Sequence, residues 1–527
     1  MSLDNLFTKW IEEEKIKLSR HKVNSKEEAG AKRNYLHFDL RRPESSLFKL
    51  REEFTNTKII ATHGYWPFLK NIIKVPKIKN NIDAKTNKLI GRRKEIKERD
   101  VYYASHYDAL IYSWYSFLLN NYYEKRLKEL GLNESVIAYR KIPLKENSNK
   151  NKSSINFAFE VFKFIKEKGE CVVIVSDITK FFDSLDHEIL KTEWKNLLSI
   201  SREEKLPLDH YIVYKNLTDF KYIDANEAFQ RMGIKLKKVV DKKDKKNIKV
   251  YKVPFKNGRV SKVICKDRKE FVESIVKGGL IKGNSNINNV TNSKRKGKKC
   301  GIMQGAPISA TLANIYMASF DKTINDFVDS IGGMYRRYSD DLVVVCSIEN
   351  YKECLSLVQA KILDYELKMS PKKTCITLFL KNKVGKIKGF EEKYLDNLDK
   401  NNEDKFYRKM QYLGFEYDGQ NVFLRSSSLA KYYRKMKSKI KKSIAMAYGK
   451  KSRTKTKNFR VFKKNLVKKY LYKGRRSFIS YAYRAISVGS ELLSGDAIKK
   501  QLSRRSKIMA REFITREEKI RKYKKLT

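Results

Sequence analysis

The sequence predicts a multidomain α/β protein that ends in a helical, strongly basic region, and three observations predict it. Residues 171–195 read as strand, turn and helix: the apolar run Cys171-Val-Val-Ile-Val175, then Ser176-Asp177, then an acidic and aromatic segment. Residues 334–346 read as two apolar strands joined at Ser339-Asp340-Asp341. Residues 426–527 read as helical and hold 33 basic and 5 acidic residues, a net +28. At 527 residues the chain has room for several domains and at least one sizeable core.

The elements follow in order. Residues 1–60 form a charged helical extension in which Trp10, Ile11, Ile16 and Leu18 are only loosely periodic. Within residues 61–170 a Lys/Arg-rich stretch, from Lys74-Val-Pro-Lys77 to Gly91-Arg-Arg-Lys94, leads into a Tyr-rich amphipathic helix at about 101–130. Residues 171–425 carry the mixed α/β pattern, interrupted at about 205–300 by a Lys-rich insertion that includes Lys242–Asn247. The last part of the insertion, Asn284 to Lys299, is rich in Asn, Ser and Lys and reads as mobile. A Gly-containing turn, a helix and the acid-tipped hairpin occupy 301–346. A helix at about 350–367, a short strand after Lys373 and a hairpin from Tyr412 to Arg425, turning at Asp418-Gly419, complete this part.

Lys plus Arg number 116 against 60 Asp plus Glu, a net charge of +56. With 41% hydrophobic and 12% aromatic residues the chain is no self-repelling disordered polymer, so the charge points to a polyanionic partner, nucleic acid first. An AT-rich coding bias would enrich Lys, but it would enrich Glu too. The six cysteines contain no CxxC pair and the six histidines no HxxxH, which argues against zinc. There is no signal-peptide pattern, and the longest apolar runs are too short to cross a bilayer. The expectation is a soluble cytoplasmic protein in a reducing compartment, with no membrane partner.

Three features carry chemistry. Asp177 closes a buried-strand run and points an acid into a cleft. Asp340 and Asp341 sit at the tip of a hairpin between apolar strands, where like charges are costly unless a cation neutralises them. Met303-Gln304-Gly305-Ala306-Pro307 precedes a helix, and its small residues allow close approach to a base or sugar. Taken singly, each has an ordinary reading as a helix cap, a solvated turn or an uninformative dipeptide. Two magnesium ions held by carboxylates from different strands would neutralise the acids, and the three features in this order, in strand-turn-helix, helix and hairpin contexts, leave chance a poor explanation.

Here the sequence resembles reverse transcriptases. Asp177-Ile-Thr-Lys-Phe-Phe182-Asp183 resembles their first palm motif, Gln304-Gly-Ala-Pro-Ile-Ser309 the second, and Tyr338-Ser-Asp-Asp341 the YxDD box. Leu367-Lys-Met-Ser-Pro-Lys-Lys373-Thr374 is similar to the fourth motif and Tyr412-Leu-Gly-Phe415 to the primer-grip hairpin. The resemblance spans about 66–425 and implies a right-hand polymerase with fingers at 61–170, a palm at 171–425 and a helical basic thumb, or thumb replacement, at 426–527. It implies that Asp177, Asp340 and Asp341, with the Ile178 carbonyl, bind two Mg2+ ions, with Mn2+ as a substitute. Lys373 would protonate pyrophosphate. Phe182 would reject a ribose 2′-hydroxyl, while Phe181 and Phe182 also read as core aromatics of which at most one faces a nucleotide. Gln304 and Gly305 would pack on nucleotide and template, and Lys77 with Arg92 or Arg93 would grip the triphosphate.

Departures narrow the group. YSDD stands for the commoner YADD, Ser309-Ala310 for Ser-Pro, and Asp177 and Gln304 are far apart. Val136-Ile-Ala-Tyr139-Arg140-Lys resembles the prokaryotic abortive-infection and "unknown group" defence enzymes. That implies an antiphage role, an RNA template and DNA product, and leaves open a dedicated non-coding RNA, protein priming and a homo-oligomer. In the basic tail, Lys431, Arg434, Lys435, Lys463, Lys464, Arg475 and Arg476 interleave with Tyr and Phe as phosphate-tracking, base-stacking residues do, and Tyr412, Leu413 and Gly414 would meet the primer. An RNA-directed RNA polymerase, a group II intron or other mobile-element enzyme, and a catalytically idle RNA-binding scaffold are the competing readings.

Overall fold

The structure is a computed structural model. It describes residues 2–23, 35–42, 44–83, 89–145, 148, 150–234, 236–240, 247–251, 255–256, 259–260, 263–291, 293–371, 373–396, 400–448, 461–472, 474, 477–492 and 496–525. The chain divides into two compact units. One comprises Met1–Asn133, Ile178–Lys322 and Ala360–Lys368; the other comprises Glu134–Asp177, Thr323–Gln359 and Met369–Thr527. The strands, in chain order, are β1 (Phe68–Ile82), β2 (Leu89–Tyr103), β3 (Cys171–Asp177), β4 (Lys221–Asp224), β5 (Leu236–Val240), β6 (Asn247–Tyr251), β7 (Phe255–Lys256), β8 (Arg259–Val260), β9 (Lys282–Gly283), β10 (Met334–Tyr338), β11 (Asp341–Cys346), β12 (Cys375–Lys381), β13 (Ile387–Glu391), β14 (Met410–Tyr412), β15 (Phe415–Tyr417) and β16 (Val422–Leu424).

The first unit carries a four-stranded sheet in the order β2-β1-β4-β9. The stretch that reads as a charged lead-in is the long antiparallel hairpin β1–β2, with Leu69 opposite Tyr103 and Asn81 opposite Gly91. β4 pairs with β1 only at residues 68–70. The Tyr-rich helix runs from His106 to Glu129, capped by the Ser105 side chain on the Asp108 N–H. Its Trp114 packs with Phe7 and Trp10 of the first helix, Leu3–Val23, at ring-centroid distances of 5.5 and 5.6 Å, so aromatic contacts compensate for the weak periodicity there.

The Lys-rich insertion is more ordered than its composition suggests. A helix forms over Leu208–Thr218 and another over Ala225–Arg231, the latter capped by Asp224. Asn284–Lys299, expected to be mobile, is held by polar bonds: Asn284 Nδ2 donates to the Thr218 and Cys300 carbonyls at 3.0 and 2.9 Å, and Asn288 Nδ2 to Glu366 Oε2 at 2.8 Å. Both asparagines are buried. Residues 242–246 of the Lys242–Asn247 run lie outside the described residues.

The second unit is built on a five-stranded antiparallel sheet, β10-β11-β3-β12-β13, with a small sheet β14-β15-β16 beside it. The helix Ser154–Lys168 lays Ile155, Ala158, Phe159, Phe162 and Ile165 on one face, an i, i+3, i+4 stripe. That stripe, the inner faces of the sheets and the C-terminal helices form one core, reaching from Ile155 through Val343, Phe379 and Tyr417 to Met436, Ile440, Met509 and Phe513. Gly489 lets the helix Phe478–Leu492 approach closely, since a β-carbon there would meet Phe159 Cε1 at 2.8 Å. The mixed α/β class with a helical C-terminal region is thus present. Among the described residues no helix is long and apolar enough to cross a membrane.

Candidate active site

The acids belong to the second unit. β3 and β11 pair in a register that sets Asp341 directly opposite Asp177, and directly opposed residues hold their β-carbons about 5 Å apart. Asp340 occupies the two-residue turn between Tyr338 and Asp341. Its neighbour Ser339 adopts φ 63°, a left-handed conformation that costs a non-glycine residue about 1–2 kcal/mol and must be held from outside.

Two residues hold it, Arg337, which motif reasoning passes over, and Tyr139 of the Val136–Lys141 segment. Arg337, fully buried, donates from Nη1 to the Ser339 carbonyl at 3.2 Å. Its backbone N–H bonds the Ser135 carbonyl at 2.7 Å, and its carbonyl accepts from the Ile137 N–H at 3.1 Å. The Val136–Lys141 segment is thereby tied to β10, and Tyr139 brings its hydroxyl to 3.1 Å from Ser339 Oγ. Ser339 in turn hydrogen-bonds the Asp340 carboxylate. The serine of YSDD therefore has a partner that an alanine would lack. Tyr139→Phe and Ser339→Ala are each expected to cost about 0.5–1.5 kcal/mol of turnover free energy, and the double variant no more than Ser339→Ala alone. Additive losses in that double-mutant cycle would show the two hydroxyls to be uncoupled.

Burial is the main cause that pushes the Asp341 carboxyl up to about 6, followed by the charges of Asp340 and Asp177, with Lys373 and Arg425 opposing. Burial also raises Asp340, with Asp177 adding to it and Lys373 pulling back. The Lys373 ammonium is ion-paired with the Asp177 carboxylate. Its loop is anchored by the Ser370 N–H on the Asp177 carbonyl at 2.9 Å and by Ser176 Oγ, 3.1 Å from Thr374 Oγ1. Three carboxylates give hard oxygen donors, and burial and neighbouring negative charge make two of them, Asp340 and Asp341, costly to ionise unless a cation is near, which suits a divalent cation of the magnesium type. Among the described residues no three His, Cys, Asp or Glu side chains are gathered round one point.

The nucleotide residues belong to the first unit, where Phe181 is buried and Phe182 is the half-exposed one of the pair. The Phe182 carbonyl accepts from the Ile302 N–H at 2.9 Å, which ties this turn to the segment leading to Gln304. Gln304 and Gly305 are exposed. The Gln304 carbonyl accepts from the Tyr102 N–H at 2.9 Å. Gly305, at φ 125°, lies so close to β2 that a β-carbon would meet the Tyr102 carbonyl oxygen at 2.4 Å. Gly305→Ala is expected to lower stability by about 2 kcal/mol or more, read as a drop in the denaturation midpoint.

The remaining expected contacts are spread out. Lys77, Arg92 and Arg93 sit on the outer part of the β1–β2 hairpin; Lys77 is seven residues, about 24 Å along the strand, beyond Lys70 at its base. Lys70 is a residue that motif spacing does not reveal: it pairs with Asp100 at 2.6 Å and lies 5.9 and 5.5 Å from the ring centroids of Tyr102 and Tyr222. Tyr102, directly across from Lys70 in the register, is the residue bonded to Gln304. Tyr412 is buried and its hydroxyl has no partner, so its side chain belongs to the core and is withdrawn from any primer. Leu413 and Gly414, at φ 42° and 93°, form the two-residue turn. Lys431, Arg434 and Lys435 project from the helix Ser426–Tyr448 opposite its buried stripe of Tyr432, Met436, Ile440 and Ile444. Lys463 is engaged within the chain, 3.6 Å from Glu517 and 5.0 Å from the Phe513 ring, while Lys464 is exposed. Arg475 and Arg476 lie outside the described residues.

Comparison with known proteins adds three facts. No curated protein matches the sequence. Among solved structures, telomerase from Candida tropicalis truncated from its C-terminal domain aligns with a TM-score of 0.32 at 12% identity, over 67% of this chain and 56% of that one. Apo telomerase from Candida tropicalis aligns at 0.33 and 13%, over 89% and 67%, and telomerase from Candida albicans with a TWJ fragment of telomeric RNA at 0.33 and 14%, over 91% and 68%. This chain thus spans little more than half the length of the first. Residues 253–417 match the family described as reverse transcriptase (RNA-dependent DNA polymerase). That stretch contains Gln304, Gly305, Asp340, Asp341 and Lys373, so the chain carries a domain of the reverse-transcriptase (RNA-dependent DNA polymerase) type, the domain of a nucleotidyltransferase.

Proposed function

We propose that the protein extends a 3′-hydroxyl with deoxynucleoside triphosphates on an RNA template, and that it serves prokaryotic antiphage defence. The observation that carries the polymerase reading is the placement of Asp341 against Asp177, beside Asp340, in a chain with a reverse-transcriptase match. Asp177, Asp340 and Asp341, with the Ile178 carbonyl, would hold two magnesium ions, for which manganese can substitute. Bound there, the ions would supply positive charge to the attacking oxygen and the leaving pyrophosphate. The protein's own groups position and select. Ser339 and Arg337 aim the acid turn, and Lys373, released from Asp177, would serve the reacting phosphates as a proton donor. Gln304 and Gly305 would form the floor on which the incoming nucleotide rests.

Phe182 supports the choice of deoxynucleotides, because its half-exposed ring would clash with a 2′-hydroxyl. Phe182→Ala should raise ribonucleotide incorporation about 10- to 200-fold relative to deoxynucleotide, measured as a ratio of kcat/KM values. The defence reading is supported by the Val136–Lys141 resemblance, to which the Tyr139–Ser339 bond gives a task at the acid turn. In that setting the template would be a dedicated non-coding RNA or a co-purifying transcript. The primer would be a nucleic acid or a protein hydroxyl, and the active form would be the monomer or a homo-oligomer. The test is polymerisation by the purified chain with its bound nucleic acid retained, magnesium and labelled dNTPs, beside an Asp340→Ala, Asp341→Ala variant. DNA made by the wild type alone would establish the activity, its sequence would identify the template, and protease sensitivity would identify protein priming. Equal phage plating with wild type and variant would sink the defence role.

A further inference from the structure

The β1–β2 hairpin projects well past its sheet. β4 pairs with β1 only at residues 68–70, and among the described residues no other strand pairs with the outer edges of the hairpin. From Asn71 opposite Val101 to Asn81 opposite Gly91 it is a two-stranded ribbon about 35 Å long. Isolated ribbons of two strands are marginal in water, so one of this length points to a partner.

Its two faces differ. Paired residues share a face, so the register places Ile73 with Arg99, Val75 with Lys97, Lys77 with Glu95 and Lys79 with Arg93 on one side. That face carries five basic residues and one acid over four successive pairs. The opposite face holds Ile72 with Asp100, Lys74 with Glu98, Pro76 with Ile96 and Ile78 with Lys94. Its charges nearly cancel, Lys74 pairing with Glu98 at 2.5 Å, and Ile78 and Ile96 are exposed there. Lysine and proline on open edges do protect against edge-to-edge aggregation, but that purpose would spread charge over both faces. On the basic face only Glu95 opposes the charge, held below the ordinary carboxylate range by Lys79 first and then by Arg93 and Lys77.

We propose that this basic face is a track for a single-stranded nucleic acid, gripping its phosphates independently of sequence. Same-face residues on one strand recur about every 6.8 Å, a step comparable to one nucleotide of an extended single strand. Lys97 and Arg99 therefore meet successive phosphates without the strand having to wind. The assignment takes Lys77 and Arg93 away from the triphosphate, and rests on the nucleic-acid reading of the protein while leaving its catalytic half untouched.

The test uses the full chain with a short unstructured RNA and the same RNA as a duplex, titrated by fluorescence anisotropy across a salt series. Replacing Lys77, Lys79, Arg93, Lys97 and Arg99 by Gln should reduce the slope of log affinity on log salt for the single strand by about 3.5, from about 0.7 per contact. Lys97→Gln alone should reduce it by about 0.7, which keeps the test valid if the fivefold variant folds poorly. Ile78→Ser with Ile96→Ser, on the opposite face, should leave it unchanged. An unaltered slope in both basic-face variants overturns the proposal, as does a loss confined to the duplex. Unaltered RNA binding with a change in self-association on sedimentation would make the ribbon a protein contact instead. A wild-type chain that binds neither RNA defeats the nucleic-acid reading itself, whereas variants that bind like a binding wild type defeat only the track.

Discussion

Asp341→Asn is expected to abolish polymerisation, by more than about 10³-fold, and at the same time to make the metal-free protein more stable at pH 8. The sign follows from linkage. The Asp341 carboxyl titrates near 6 when folded against an ordinary 3.8, so between those values the native state binds more protons than the unfolded one. Stability therefore falls as pH rises through about 4 to 6. Above that window the charged group costs up to about 3 kcal/mol, at roughly 1.4 kcal/mol for each tenfold change in proton affinity. Asparagine removes that cost. Thermal melts of the metal-free wild type should show a higher midpoint at pH 5 than at pH 8, apart from the background of other groups, with the difference reduced in the variant. Added magnesium should raise the wild-type midpoint at pH 8 by binding the native state, and should do less for Asp341→Asn. A variant that is both inactive and less stable at pH 8 would mean that the acids are not held under mutual repulsion.

Arg337→Ala should destabilise the protein by about 3–5 kcal/mol. The side chain is fully buried, and its loss would leave a cavity and an unsatisfied Ser339 carbonyl. Because the same carbonyl belongs to the turn carrying Asp340, the damage should reach the acids as well as the fold. Denaturant unfolding reads the first effect. The second is read by whether the stability difference between pH 5 and pH 8 shrinks as the turn opens and Asp340 and Asp341 lose their burial. A variant that melts near the wild type would show Arg337 to be a replaceable filler.

Much of the catalytic half is legible in the sequence because its pattern is local. Val172–Val175 and Leu342–Cys346 read as buried strands, and turn chemistry places Asp340 at a hairpin tip. Pairing of distant strands is not legible: nothing local says that Asp341 lies against Asp177 rather than beside β12. The long hairpin escapes notice because its strands are exposed, so their residues lack the alternation that burial imposes. Asn284–Lys299 misleads for the opposite reason. Polar side chains there satisfy backbone carbonyls inside the unit, and composition cannot distinguish a solvated asparagine from a buried one with partners. Arg337 reads as one more basic residue in a chain with 116 of them, and only its burial sets it apart.

The core that joins Ile155 and Val343 to Met509 and Phe513 has a consequence in time. A chain grows from its N-terminus at about 5–20 residues per second, so roughly 20–70 s separate the synthesis of the first of these residues from the last. The sheet bearing Asp177 and Asp341 cannot finish packing until the helix Arg505–Lys525 has been made. The nascent protein passes that interval with a bare apolar face and an unfinished acid cluster. That interval is therefore an aggregation-prone one, and the surroundings of the acids are complete only once residues as late as Phe513 have been made.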